Sequence, residues 1–170
     1  MFNLVLLTNG TVQVWGEEAS VMHIPDWASN DIVAVAAGWT HCLAIKTNGT
    51  VTAWGEGTGA AWPGAYATNR VVAVAAGSRH SLALTTEGQV IGWGQSSQGQ
   101  LAIPAAASNG VSAIATRGYF SMALRTNGEV VVWGDNAYGQ TVPPAEATNG
   151  IIAIACGYYH GLAVTSNGCV

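Results

Sequence analysis

The chain has 170 residues, 49% of them apolar and 8% charged, with a formal net charge of −4. That length can bury a core without a disulfide or metal staple, and apolar runs such as VVAVAA fall far short of the ~20 residues that cross a bilayer. The five cations, Lys46, Arg70, Arg79, Arg117 and Arg125, form no cluster that would displace counterions from a phosphate backbone, so neither a nucleic acid nor a membrane is an expected partner.

The opening stretch MFNLVLLTNG shows no basic leader and no small-residue cleavage pattern, so no export signal is expected; the chain reads as soluble, with its compartment open. Residues 2–16 read as two strands around an Asn-Gly turn, and the loop that follows contains Pro25. IVAVAAG, at 32–38, is apolar on both faces, as expected of a strand sandwiched between sheets, and its alanines allow close approach near a crowded centre. A two-residue link, Trp39-Thr40, leads to the alternating strand HCLAIKT. A two-residue Asn-Gly turn then leads into TVTAWG, because Gly tolerates the positive φ of a tight hairpin.

The same order recurs as VVAVAAG, HSLALTT and QVIGWG, then as VSAIATR, FSMALRT and EVVVWG, and begins again as IIAIACG and HGLAVTS. Trp15, Trp54, Trp93 and Trp133 are spaced 39, 39 and 40 residues apart; Gly10, Gly49, Gly88, Gly128 and Gly168 follow at 39, 39, 40 and 40. The repeat units are approximately 2–40, 41–79, 80–119 and 120–159, with a truncated copy at 160–170. After each Trp-Gly comes a loop of about fifteen residues rich in Gly, Ser, Ala and Asn, in which Pro25, Pro63, Pro104, Pro143 and Pro144 stop regular structure. No helix of useful length fits. Short strands, hairpins and a period near 40 indicate an all-β chain of small sheets arranged radially, a β-propeller with about four blades. A parallel β-helix has shorter coils and no need for a hairpin in every unit.

VVAVAAGSRHSLALTTEGQVIGWGQSSQGQL resembles the repeat of the regulator of chromosome condensation family, and the form GQTVPPAEATNGIIAIACGYYHGLAV is most similar to the propeller-type β-lactamase inhibitory proteins. The resemblance covers essentially the whole chain and implies the propeller fold; such repeats serve many tasks. Family rings close from a longer single chain. An open arc would expose the faces of two end sheets, and at ~25 cal/mol per Å2 several hundred Å2 of apolar face would forfeit on the order of 10 kcal/mol. The expectation is therefore a homodimer in which a second chain completes an eight-bladed ring, with FNLVLLTNGTV (2–12) and HGLAVTSNGCV (160–170) as overlapping copies of one template whose fate at the junction is open. The alternative is a piece of a longer ring.

No catalytic set emerges, so the chain is not expected to be an enzyme. His41, His80 and His160 recur once per unit and cannot converge on one ion; a repeat-wide structural hydrogen bond explains them, and no metal or cofactor is expected. His23 has no identifiable partner. Glu17 and Glu18 are adjacent loop residues, Glu87 and Glu129 sit at hairpins, and Ser81 and Ser121 share their slot with Cys42 and Gly161. Cys42 and Cys156 read as buried thiols and Cys169 as a terminal one.

Binding fits better. The links Trp39-Thr40, Ser78-Arg79, Gly118-Tyr119 and Tyr158-Tyr159 vary on a constant scaffold, as do the segments after Trp-Gly. Resemblance to the β-lactamase inhibitory proteins implies that these two loop families share one end of the ring and touch a protein partner through Trp39, Arg79, Tyr119, Tyr158 and Tyr159 in the first and Asp135, Asn136 and Tyr138 in the second. EEASV and EGTGA, in the first two units, depart from that pattern. Trp15, Trp54, Trp93 and Trp133 read as core between blades. Arg117, in a place held elsewhere by Gly38, Gly77 and Gly157, reads as a local shift in which Gly118 takes over the turn. The expected function is a non-catalytic protein-binding scaffold that also binds itself. Its alternatives are an inhibitor of a β-lactamase-like secreted hydrolase and a carbohydrate-binding propeller, with an exchange factor of the chromosome-condensation type weakest for want of a basic patch.

Overall fold

A computed structural model describes residues 2–17, 19–28, 30–57, 70–147 and 149–167. Pro63, Gly168 and Cys169 fall outside them. Among the described residues, thirteen short strands form five separate antiparallel sheets. The first pairs β1 (Phe2–Leu6) with β2 (Val12–Gly16). Three complete sheets follow: β3 (Ile32–Ala37), β4 (His41–Lys46) and β5 (Val51–Gly55); β6 (Val71–Ala76), β7 (His80–Thr85) and β8 (Val90–Gly94); β9 (Val111–Arg117), β10 (Phe120–Arg125) and β11 (Val130–Gly134). The last pairs β12 (Ile151–Cys156) with β13 (Gly161–Thr165). Among the described residues, a four-residue helix, α1 (Ala19–Met22), and three 3-10 turns occupy loops.

The alanine-rich strands β3, β6, β9 and β12 pack directly on one another, each in the next sheet, so they line a common axis while the Trp-Gly strands lie outermost. This is a β-propeller arc. Its core lies between sheets: Leu43, Ile45 and Val51 of one blade meet Val71, Ala83 and Trp93 of the next, and Leu82, Leu84 and Val90 meet Val111, Ala123 and Trp133. A blade thus buries nothing by itself; stability accrues at its junctions.

The hairpins differ from the expected two-residue turn. Gly49 N–H bonds the Lys46 carbonyl at 2.8 Å and Lys46 N–H the Thr50 carbonyl at 2.9 Å, enclosing a three-residue loop, and the same pattern surrounds Gly10, Gly88 and Gly128. Among the three loop residues only the glycine takes positive φ, between 72° and 81°, while Asn48 spends its side chain on Thr50 N–H at 3.0 Å. A tight type I turn closed by a left-handed glycine produces this loop. The turn glycine then ties blades together: the carbonyls of Gly10, Gly49, Gly88 and Gly128 accept from Ile32, Val71, Val111 and Ile151, the first residue of the next inner strand, at 3.1–3.3 Å.

Candidate functional site

The links from inner to middle strands gather at one mouth of the axis, where Phe2, Trp39, Ser78, Arg117, Gly118 and Tyr158 help to line a cleft of about 370 Å3. Ser78 N–H donates to the Gly118 carbonyl at 2.9 Å, and its hydroxyl faces Tyr158 Oη at 3.4 Å. The loops after Trp-Gly are stitched to the same links, since Glu56, Gln95 and Asp135 donate backbone N–H groups to the carbonyls of Thr40, Arg79 and Tyr119 at 2.8, 2.9 and 3.0 Å. Both variable loop families therefore lie at one end.

Four aromatic side chains run in contact across that end. Trp39 meets Tyr158 edge-on with ring centroids 6.5 Å apart, Tyr158 meets Tyr159 at 4.7 Å, and Tyr159 meets Tyr138 at 4.9 Å. Trp39, Tyr138 and Tyr159 each expose half or more of their surface, whereas Tyr158, in the middle of the row, is half-buried. Arg79 and Arg117 are exposed and Tyr119 is half-buried. Asp135 and Asn136 are built into their loop: Asp135 accepts from Ala137 N–H and the Gln140 amide, both at 3.1 Å, and Asn136 Oδ1 accepts from Thr141 N–H at 3.0 Å. Their side chains shape the platform that presents Tyr138.

Beneath the mouth lies a row of buried histidines. His41 Nε2 is 2.9 Å from Ser81 Oγ in the following blade, and His80 Nε2 is 3.0 Å from Ser121 Oγ and 2.7 Å from Thr116 Oγ1. Burial holds His41 down at about 4 and His80 at about 4, the latter helped by neighbouring His41, so both rings are neutral near pH 7. Burial also pushes the Cys42 and Cys156 thiols up to about 12, which keeps them protonated and inert. No grouping of three metal-ligating side chains occurs among the described residues. Nor is any described helix long and apolar enough to cross a membrane.

Each of these rings packs on the glycine three residues before it. A Cβ on Gly38, Gly77 or Gly157 would lie 2.4, 2.3 or 2.2 Å from Cε1 of His41, His80 or His160. The fourth blade departs from both halves of this pair, with Phe120 for histidine and Arg117 for glycine. Strand register does not shift: Arg117 stands opposite Phe120, and only the turn changes, with Gly118 at φ 58° beneath the Tyr158 carbonyl. Sequence reasoning named Ser78 only as half of a variable link and missed Thr116, whose slot is held elsewhere by Ala or Cys.

The expectation for the four repeat tryptophans needs one correction. Trp54, Trp93 and Trp133 are 5%, 8% and 5% exposed, whereas Trp15 is 52% exposed, because no described sheet lies on its side of β2. Trp54 and Trp133 donate their indole N–H to the carbonyls of Val21 and Gln100, in the loop of the preceding blade, at 3.2 and 2.9 Å.

The family model of the regulator of chromosome condensation (RCC1) repeat matches residues 32–58, 71–100, 111–140 and 151–170. No curated protein sequence matches significantly. Among solved structures the chain is similar to Prp20p of Saccharomyces cerevisiae, described with its binding to Gsp1p and histones, at 18% identity and TM-score 0.77 over 98% of this chain and 54% of that one. It is similar to the CRINKLY ectodomain of the Arabidopsis thaliana receptor kinase ACR4, at 20% identity and TM-score 0.78 over 98% of this chain and 62% of that one. It is also similar to human WBSCR16, at 20% identity and TM-score 0.71 over 98% of this chain and 57% of that one. At such identities the likeness establishes the fold, and the chain spans 54–62% of the length of these structures.

Proposed function

Because the chain belongs to the RCC1 repeat family, we propose that it is a non-catalytic scaffold that binds a protein through the aromatic row at the mouth of its propeller. The observation that carries this reading is the contact series Trp39–Tyr158–Tyr159–Tyr138, assembled from three separate stretches of sequence and more than half exposed at both ends. Rings of this kind bury much area with few rotors to freeze, and their mutual edge contacts fix them before a partner arrives. Arg79 and Arg117, exposed at the same mouth, would meet acidic groups on that partner. That Prp20p is described with protein partners agrees in kind. Trp39, Arg79, Tyr119, Tyr158, Tyr159 and Tyr138 are the proposed contacts, while Asp135 and Asn136 act through the shape of their loop. Association with a second copy is part of the same proposal.

The test compares wild type with Trp39→Ala/Tyr159→Ala in affinity capture, in inhibition of a panel of β-lactamases, and on a glycan array. A protein retained by wild type and lost by the variant supports the reading, and a β-lactamase in that place makes the protein an inhibitor. Glycan hits that depend on Trp39, without any protein retained, would replace it with a carbohydrate-binding function.

A further inference from the structure

The chemistry of the mouth cleft is one-sided. Its lining carries one cation, Arg117, and two hydroxyls, Ser78 and Tyr158, with no aspartate or glutamate among the described residues. The hydroxyls face each other at 3.4 Å; one of their protons lies between them, and the other has no acceptor among the described residues. Arg70 and Arg125 are paired with Glu87 and Glu129 at the hairpin end of the blades. The Arg117 side chain, by contrast, is exposed and has no ion pair or hydrogen bond among the described residues. The cleft therefore offers positive charge and a spare donor, with no side chain to accept either.

The repeat does not require this arginine. Three units hold glycine at the same place, and strand register passes Arg117 unchanged while Gly118 makes the turn at φ 58°. Tyr158 is equally particular, since Trp39, Ser78 and Gly118 hold its place in the other links. Around these groups Ala37, Gly38, Ala76 and Gly77 add only small surfaces, which leaves about 370 Å3 open. Such a volume takes a side chain or a small molecule, not a strand or a helix.

We propose that the cleft receives one acidic side chain, aspartate or glutamate, of the protein partner, with the Arg117 guanidinium and the spare hydroxyl proton of the Ser78–Tyr158 pair as its donors. This inference rests on the mouth-binding reading and deepens it. Tyr158, the half-buried member of the aromatic row, acts through its hydroxyl, whereas Trp39 and Tyr159 act through their rings. Charge selects the occupant: a carboxylate accepts from a guanidinium and a hydroxyl together, while an amide or an ammonium there would leave the arginine desolvated and unmatched. His41 and His80, packed on Gly38 and Gly77, are neutral near pH 7, so Arg117 supplies the charge that lines the cleft.

The probe is a random dodecapeptide library displayed on phage and panned against the whole protein. Retained sequences should share an aspartate or glutamate. Its change to the matching amide in the synthetic peptide should weaken binding about ten- to a hundredfold, as loss of a hydrogen-bonded charge does. Arg117→Gln should weaken the acidic peptide by a similar factor and leave the amide peptide nearly unchanged, a coupling that a merely structural role would not produce. Tyr158→Phe should show the same dependence at smaller size. Circular dichroism should show wild-type strand content in both, since Arg117 is exposed and Tyr158→Phe keeps the ring. Peptides lost to Trp39→Ala/Tyr159→Ala but indifferent to Arg117→Gln and to their own acidic residue would leave the mouth as a binding surface and overturn this inference. A wild type that retains no peptide would overturn it as well, while protein capture at the mouth decides the reading it rests on. Acetate or succinate bound at the cleft without any acidic peptide retained, seen as amide NMR shifts at Ser78 and Gly118, would put a free carboxylic acid in place of the partner's side chain.

Discussion

The imidazole of His41 leaves β4 and meets the hydroxyl of Ser81 in β7 of the next blade, Nε2 to Oγ 2.9 Å, with both side chains fully buried. Burial sets His41 and His80 at about 4 in the fold, against roughly 6.5 in the unfolded chain. Between those values the unfolded state binds more protons. Stability is therefore whole above about pH 6.5 and drains as pH falls toward about 4, by on the order of 3 kcal/mol for each ring. Urea midpoints should drop across that window, and His41→Phe should remove about half of the slope.

Gly77 must stay small because the His80 ring occupies its Cβ position. Gly77→Ala should cost about 2 kcal/mol or more by overpacking. The same change in a His80→Phe background should cost less, since the fourth blade pairs Phe120 with Arg117 in unaltered register. Gly157→Ala should cost least, because His160 is exposed and can turn aside. Urea denaturation of the four variants checks the order.

Trp133 and Trp39 should separate stability from recognition. Trp133 is buried with its N–H bonded, so Trp133→Ala should cost about 3–5 kcal/mol. Trp39 is half exposed, so Trp39→Ala should stay within about 1 kcal/mol in thermal denaturation while weakening any partner held at the mouth.

The parts of this fold legible in the sequence are those fixed by local chemistry. The Asn-Gly, Glu-Gly and Trp-Gly punctuation placed the hairpin strands, and the alanines of IVAVAAG and VVAVAAG placed the inner ones. The recurring histidines were readable as structural because equivalent residues in different blades cannot converge. What was not legible depends on neighbours. Only a packed structure shows that Gly38 answers to His41, and that at Arg117 the register holds while Gly118 takes over the turn. Trp15 shares its sequence setting with three buried tryptophans, and its exposure comes from what lies beside its sheet. Nor does the sequence show that oxygens of Asp135 and Asn136 are bonded within their own loop.

The claim beneath all of this is that the molecule is held together between blades, each passing a side chain to the next. A double-mutant cycle joining His41→Phe and Ser81→Ala, read by urea denaturation near neutral pH, tests it most directly. The predicted coupling is about 1 kcal/mol between residues on different sheets. Two effects that simply add, to within about 0.3 kcal/mol, would contradict it.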